Sequence, residues 1–132
     1  MINNQRLFDG AKPAGFDGLF EWDWLKGAFG PAIMPMDFDA VVERHGQFLL
    51  YETKHIGVPV PKGQLITLES LIKTKVWTVF ILHGKRQPKE LIIWTANDDA
   101  SICERIVNPV SRRIVWDESY QWFQQANSKG SK

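Results

Sequence analysis

Two β-prone runs separated by a tight turn constrain this chain more than any other feature of its sequence. The runs are "PMDFDAVVER" and "QFLLYETKHI", and His45-Gly46 stands between them. A two-residue hairpin turn needs positive φ angles, which glycine adopts without strain, and here it would pair Arg44 with Gln47. The sequence therefore predicts an antiparallel hairpin whose register is set by its turn.

The predicted register brings four charged side chains to one face of the hairpin. It places Asp39 opposite Glu52 and Asp37 opposite Lys54, and directly opposed residues share a face with Cβ atoms roughly 5 Å apart. Residues two apart on one strand stay on the same side. Like charges directly opposed destabilise a hairpin, so the two carboxylates indicate a bound cation or a chemical task. A solvated strand face is the alternative.

Opposed carboxylates can share one hard cation such as Mg²⁺, with water and a substrate phosphate oxygen completing the octahedron. Asp39 and Glu52 are the predicted ligands, with the Thr53 carbonyl as an additional one and Mn²⁺ as a substitute ion. Whether Asp37 or Asp39 is the main ligand stays open. Lys54 is predicted to orient or deprotonate the attacking water, or to stabilise charge in the transition state.

The remaining segments alternate between helical and strand patterns. Apolar spacing predicts a first helix over residues 16–29 and an amphipathic helix in "PKGQLITLESLIKTK". Strands are predicted in "VWTVFILHG" and "ELIIWTA", on either side of the basic turn "GKRQPK". We expect a loop with a short helix over residues 97–109, a short strand at "RRIVW" and a C-terminal helix in "DESYQWFQQAN". This order predicts an α/β fold with a central mixed sheet flanked by helices.

The length and composition of the chain suit one compact domain over residues 1–132. Within it, we expect an irregular segment at 1–15 and a disordered tail at 127–132. The single cysteine, Cys103, excludes an intrachain disulfide and favours a reducing compartment. No apolar run is long enough to cross a bilayer and the N-terminus lacks a signal-peptide hydrophobic region, so we expect a cytoplasmic protein without membrane contact.

The hairpin residues resemble the signature of a known family. Asp39, followed on the next strand by Glu52-Thr53-Lys54, is similar to the motif of the PD-(D/E)XK nuclease superfamily. The element order over residues 16–95 resembles its restriction-endonuclease-like core. The Gly63-Gln64 pair looks like the glutamine that some members carry just after the Glu-x-Lys strand. The stretch from residue 34 to 64 is similar to small bacteriophage and bacterial members.

The resemblance implies a Mg²⁺-dependent nuclease that cleaves DNA or, less often, RNA. Gln64 would then support Lys54 or bind a phosphate, and Glu21 is a candidate further ligand or base because some relatives carry an acid in the first helix. A homodimer is expected if two strands are cut together.

Phosphate contacts supply most nucleic-acid affinity, and four cations are the candidates for a phosphate track: Lys62, Lys85, Arg86 and Lys89. The alternative function is a catalytically inactive module of the same fold that binds nucleic acid or a partner protein.

Overall fold

The computed structural model describes residues 22–130, and the chain divides into two compact units, Met1–Met36 and Asp37–Lys132. In the described part of the first unit, Asp23–Leu25 form a 3₁₀ turn, and a bridge joins Gly27 to Gly30. Both glycines have positive φ angles, which an α-helix does not contain. The described part of the predicted first helix is therefore not α-helical. Its earlier residues and the segment 1–15 lie outside the described residues.

A five-stranded mixed sheet, with its strands in chain order, forms the centre of the second unit. β2 and β3 run parallel, and the other neighbouring pairs run antiparallel. Helix α1 makes the crossover that a parallel pair requires, and helix α2 follows β5. The predicted α/β class with a mixed sheet is confirmed. The elements are β1 (Ala40–Arg44), β2 (Gln47–Lys54), α1 (Lys62–Lys73), β3 (Trp77–Gly84), β4 (Pro88–Ala96), β5 (Ile102–Val107) and α2 (Arg112–Lys129).

The hairpin has the register that its turn predicts. Arg44 pairs with Gln47, and the ladder continues to Ala40 opposite Tyr51. His45 and Gly46 have φ angles of 51° and 77°. Two positive φ angles in succession match a turn whose twist suits a right-handed hairpin.

Two predictions for the C-terminal third are wrong. Residues 97–109 contain β5 in place of a short helix, and "RRIVW" is the first part of α2 in place of a strand. The side chain of Ser111 accepts a hydrogen bond from the Ile114 amide at 3.3 Å and so caps α2. The helix runs to Lys129, into the segment for which the sequence predicts a tail. No helix within residues 22–130 is long and apolar enough to span a membrane.

The sheet is covered by a helix on each face, so β2 buries neighbouring residues on opposite sides. Leu50 packs toward α1, in a core that also contains Leu68 and Val79. Leu49 packs on the other face with Phe80, on the side where α2 lies. Strand alternation then places every even-numbered residue of β2 on the α1 side.

The fully buried position of Leu50 predicts a large loss of stability in Leu50→Ala. The cavity and the lost apolar burial should lower the free energy of unfolding by about 2–5 kcal/mol. Ile66→Ala is the control, because Ile66 lies on α1 with 57% exposure and should change stability by less than about 1 kcal/mol. Urea denaturation measures both variants. Equal losses would contradict the assignment of the core.

Candidate active site

Glu52 lies near the carboxyl end of β2 and is only 4% exposed. It is on the α1 side because Leu50, two residues earlier, packs in that core. The side chain of Gln64, in the first turn of α1, lies near enough to lower the pKa of its carboxylate. The Nζ atom of Lys54 lies 3.5 Å from Glu52 Oε1. Three of the predicted catalytic residues thus meet at one carboxylate.

Two buried oxygen atoms at this point lack hydrogen-bond partners within residues 22–130. They are Oε2 of Glu52 and Oε1 of Gln64. A buried polar atom that makes no hydrogen bond costs free energy comparable to a lost bond, and a charged one costs more. Both atoms are acceptors, so a cation or a hydrogen-bond donor at this place would satisfy them.

The pKa of Glu52 is raised above the ordinary glutamate value. Desolvation by burial is the largest cause, and the negative charge of Asp39 adds to it. The side chain of Gln64 and the ammonium of Lys54 lower the pKa, but together they do not offset the two opposing effects. The site is therefore short of positive charge around an ionised Glu52.

Asp39 directly precedes β1 and is held by the residue that follows Glu52. Its Oδ2 atom accepts hydrogen bonds from the Thr53 backbone amide at 2.7 Å and from Thr53 Oγ1 at 2.9 Å. Thr53, predicted to offer its carbonyl to a metal, thus positions the second carboxylate. Asp37 lies in the irregular residues before β1 and is exposed. The ladder begins at Ala40, so neither of the predicted pairings, Asp39 with Glu52 or Asp37 with Lys54, is part of it.

The residues fit a magnesium site with few protein ligands. Among the described residues, no group of three or more histidine, cysteine, aspartate or glutamate side chains could hold a metal ion. Mg²⁺ is commonly held by one or two carboxylates together with waters and substrate phosphates. Asp39 and Glu52 are the two carboxylates, and Glu52 Oε2, which no described residue hydrogen-bonds, is a ligand atom of the right kind.

Three of the four predicted phosphate-binding cations lie at the same end of the sheet as Glu52. Lys85 and Arg86, in the turn between β3 and β4, line a cleft of about 110 Å³ together with Thr53. Lys89 lines a second cleft, next to His83. The fourth cation, Lys62, is the first residue of α1, two positions before Gln64.

The sequence analysis missed a row of polar residues beside Lys54. His83 is paired with Lys54 across β2 and β3, and Glu90 is paired with His83 across β3 and β4. Asn108, just after β5, donates a hydrogen bond from Nδ2 to Glu90 Oε2 at 2.8 Å. The sequence offered one signal for this row, since strand alternation puts His83 on the same face of β3 as the buried apolar residues that pack toward α1.

Comparison of the chain with protein-family models, with curated proteins and with solved structures gave no match. The function of the protein is therefore inferred from the geometry of its own residues. Glu21, the remaining candidate from the sequence, lies outside the described residues.

The raised pKa of Glu52 predicts a pH-dependent difference between the wild type and Glu52→Gln in metal-free buffer. A raised carboxyl pKa means that the folded state binds the proton more tightly than the unfolded state. Wild-type stability should therefore fall as the pH rises from the ordinary glutamate pKa through the raised one. Glu52→Gln carries no such charge and should be the more stable protein at neutral pH.

Chemical denaturation in EDTA across this pH range measures the difference. It should shrink as the pH falls to the ordinary glutamate pKa. Glu69→Gln, on the half-buried side of α1, is the control and should follow the wild-type curve. A Glu52→Gln protein less stable than wild type at neutral pH would contradict the raised pKa.

Proposed function

We propose that this protein is a metal-dependent nuclease that hydrolyses phosphodiester bonds in nucleic acid, with DNA favoured over RNA. The observation that carries the proposal is the buried carboxylate of Glu52 in contact with Lys54 and Gln64 and close enough to Asp39 to feel its charge. A charged group with these neighbours stabilises a small core poorly, because its desolvation is costly. Perturbed carboxyl groups of this kind cluster at sites of chemistry.

Asp39 and Glu52 are the residues that would hold the ion. When bound, Mg²⁺ would neutralise negative charge on the phosphodiester and make water more acidic. Lys54 would orient the attacking water or donate to the phosphate oxygens as charge builds on them. Gln64 would keep the Glu52 carboxylate in position through its side chain. Hydrolysis adds the water oxygen to phosphorus, breaks one P–O ester bond and transfers a proton to the departing oxygen.

Cations at the same end of the sheet as Glu52 support nucleic acid as the substrate. Lys85 and Arg86 lie beside Thr53, and Arg112 holds the turn by donating from Nη2 to the Arg86 carbonyl at 3.1 Å. Lysine and arginine contacts with phosphates supply affinity without reading sequence. The preference for DNA comes from the resemblance to the PD-(D/E)XK superfamily. The exposed free thiol of Cys103 supports a cytoplasmic location, where thiols stay reduced.

A surface on α2 favours the second candidate, a binding module that needs no catalysis. Trp116 and Tyr120 are 58% and 49% exposed, and their rings stack at 5.4 Å. The guanidinium of Arg113 lies 5.3 Å from the Trp116 ring centroid. Exposed aromatic rings with arginine are suited to stacking on bases or to a protein contact. This surface belongs to α2, which covers one face of the sheet, whereas Glu52 lies on the other face, toward α1.

Cleavage assays test the nuclease directly. Labelled single-stranded, duplex and branched DNA, and RNA, are incubated with Mg²⁺ or Mn²⁺. Glu52→Ala and Lys54→Ala should each lower the cleavage rate by at least about 100-fold, which is the usual loss when one group that stabilises a transition state is removed.

Glu69→Ala and Lys73→Ala, which remove the same charges from α1 away from the Glu52 carboxylate, are the matched controls and should retain the wild-type rate. Cleavage at equal rates in all five proteins would identify a contaminant. Absence of cleavage in a folded wild type would reject the nuclease in favour of the binding module.

Metal binding is tested by melting temperature. Mg²⁺ or Mn²⁺ that binds only the folded protein should raise the melting temperature of the wild type. Glu52→Gln and Asp39→Asn should lose that increase, while Glu69→Gln should keep it. An equal increase in all four proteins would show that the ions bind elsewhere.

A further inference from the structure

A polar row crosses the sheet beside the proposed active site. Lys54, His83 and Glu90 are ladder partners on β2, β3 and β4, and ladder partners point to the same face of a sheet. That face is the one that carries Glu52. Asn108 extends the row through its hydrogen bond to Glu90. A substrate phosphate near Lys54 would therefore have His83 and Glu90 as its next neighbours across the sheet.

The hydrogen bond of His83 defines the role of its second ring nitrogen. Nε2 lies 3.0 Å from the carbonyl oxygen of Val58, which can only accept, so Nε2 carries the proton. In the neutral ring Nδ1 is then an acceptor. It is buried, lies 3.7 Å from Glu90 Oε1, and has no hydrogen-bond partner in the described part of the chain. With the ring neutral, Nδ1 is thus a buried acceptor that faces a carboxylate oxygen, and no described residue donates to Nδ1.

Both acceptors border a cleft of about 400 Å³. Its opposite side is the loop after β2, where Ile56 and Val58 are 65% and 44% exposed. Lys89 also lines the cleft. The positive charge of this lining residue disfavours a second divalent cation and favours an anionic ligand. An apolar wall, a pair of acceptors and one cation match the three parts of a nucleotide: the face of its base, its donors and its phosphate.

We propose that this cleft is a subsite for one unpaired nucleotide of the substrate and that it prefers a base with an amino group. The proposal rests on the proposed nuclease function, since the cleft begins beside Lys54. An exocyclic amino group of cytosine, adenine or guanine donates to the acceptors His83 Nδ1 and Glu90 Oε1. Thymine presents a single N–H between two carbonyl oxygens, and the same acceptors repel those oxygens.

Binding of two pyrimidine hexamers tests this preference without cleavage. Labelled dC6 and dT6 differ in the amino group but share ring size, and EDTA prevents metal-dependent hydrolysis of the probe. Fluorescence anisotropy should show that the wild type binds dC6 about tenfold more tightly than dT6, which is the usual discrimination from one good base contact.

Glu90→Gln is the variant that tests the pair of acceptors most directly. Asn108 Nδ2 would keep the carbonyl oxygen of the new amide, so the amide NH₂ would face His83 Nδ1 and supply its missing donor. The ratio between dC6 and dT6 should then fall to about twofold or less. Glu69→Gln is the control of equal charge change and should keep the ratio. Lys89→Ala should weaken both hexamers alike and keep the ratio.

Equal binding of dC6 and dT6 by the wild type would overturn the subsite, and so would an unchanged ratio in Glu90→Gln. A His83 ring that is protonated and paired with Glu90 would also produce equal binding. The outcomes are distinguishable from those of the cleavage assay. Selective binding without any cleavage would reject the nuclease and keep a base-selective cleft. Cleavage without selective binding would reject the subsite alone.

Discussion

The register of β2 between its two neighbours is the constraint on which the site depends. The tight turn at His45-Gly46 aligns β2 with β1, and the crossover through α1 aligns it with β3. Together they place Leu50 in the core under α1 and Glu52 at the edge of that core. A slip of one residue would turn Leu50 to the α2 face and move Glu52 away from Gln64. The apolar core thus holds Glu52 and its neighbours in place.

The position of Glu52 has an energetic cost that the fold does not remove. Burial raises its pKa, and the contacts with Gln64 and Lys54 offset only part of the effect. Asp39, held by the Thr53 amide and hydroxyl, increases the imbalance. A protein selected only for stability would gain from an apolar residue here. The arrangement is explained if a cation and a phosphate complete it.

One end of the sheet collects the features that suit a nucleic acid. The carboxyl ends of the parallel strands β2 and β3 lie there, with the basic turn that contains Lys85 and Arg86. His83 and Glu90 line a cleft at the same end of the sheet. The strand directions explain this grouping, because residues at the ends of neighbouring parallel strands meet at one edge. A phosphate at Lys54 would have the His83 cleft beside it on the α1 face, while the cleft of the basic turn is lined by Thr53 and Leu82 on the α2 face at the same end of the sheet.

Local patterns in the sequence determined the hairpin, α1, β3 and β4, since turn chemistry and apolar periodicity act over a few residues. The ladder of the hairpin stops at Ala40, but Asp39, the residue before it, is near enough to raise the pKa of Glu52. Glu-x-Lys alternation placed Lys54 beside the same carboxylate. The start of α2 was predicted as a strand because "RRIVW" has strand propensity, while the Ser111 cap and packing on the sheet make it helical. β5 was predicted wrongly because it becomes a strand by pairing with β4, a contact distant from its own local pattern.

The His83 cleft was decided only by the tertiary structure. Its formation depends on the pairing of β3 with β4, which changes register between His83 and Gly84, and on β5 bringing Asn108 to Glu90. Those contacts join residues distant in the chain, and no periodicity within one segment encodes them. The sequence by itself therefore specified the charged residues of the hairpin at the candidate site, whereas long-range strand pairing decided what surrounds them.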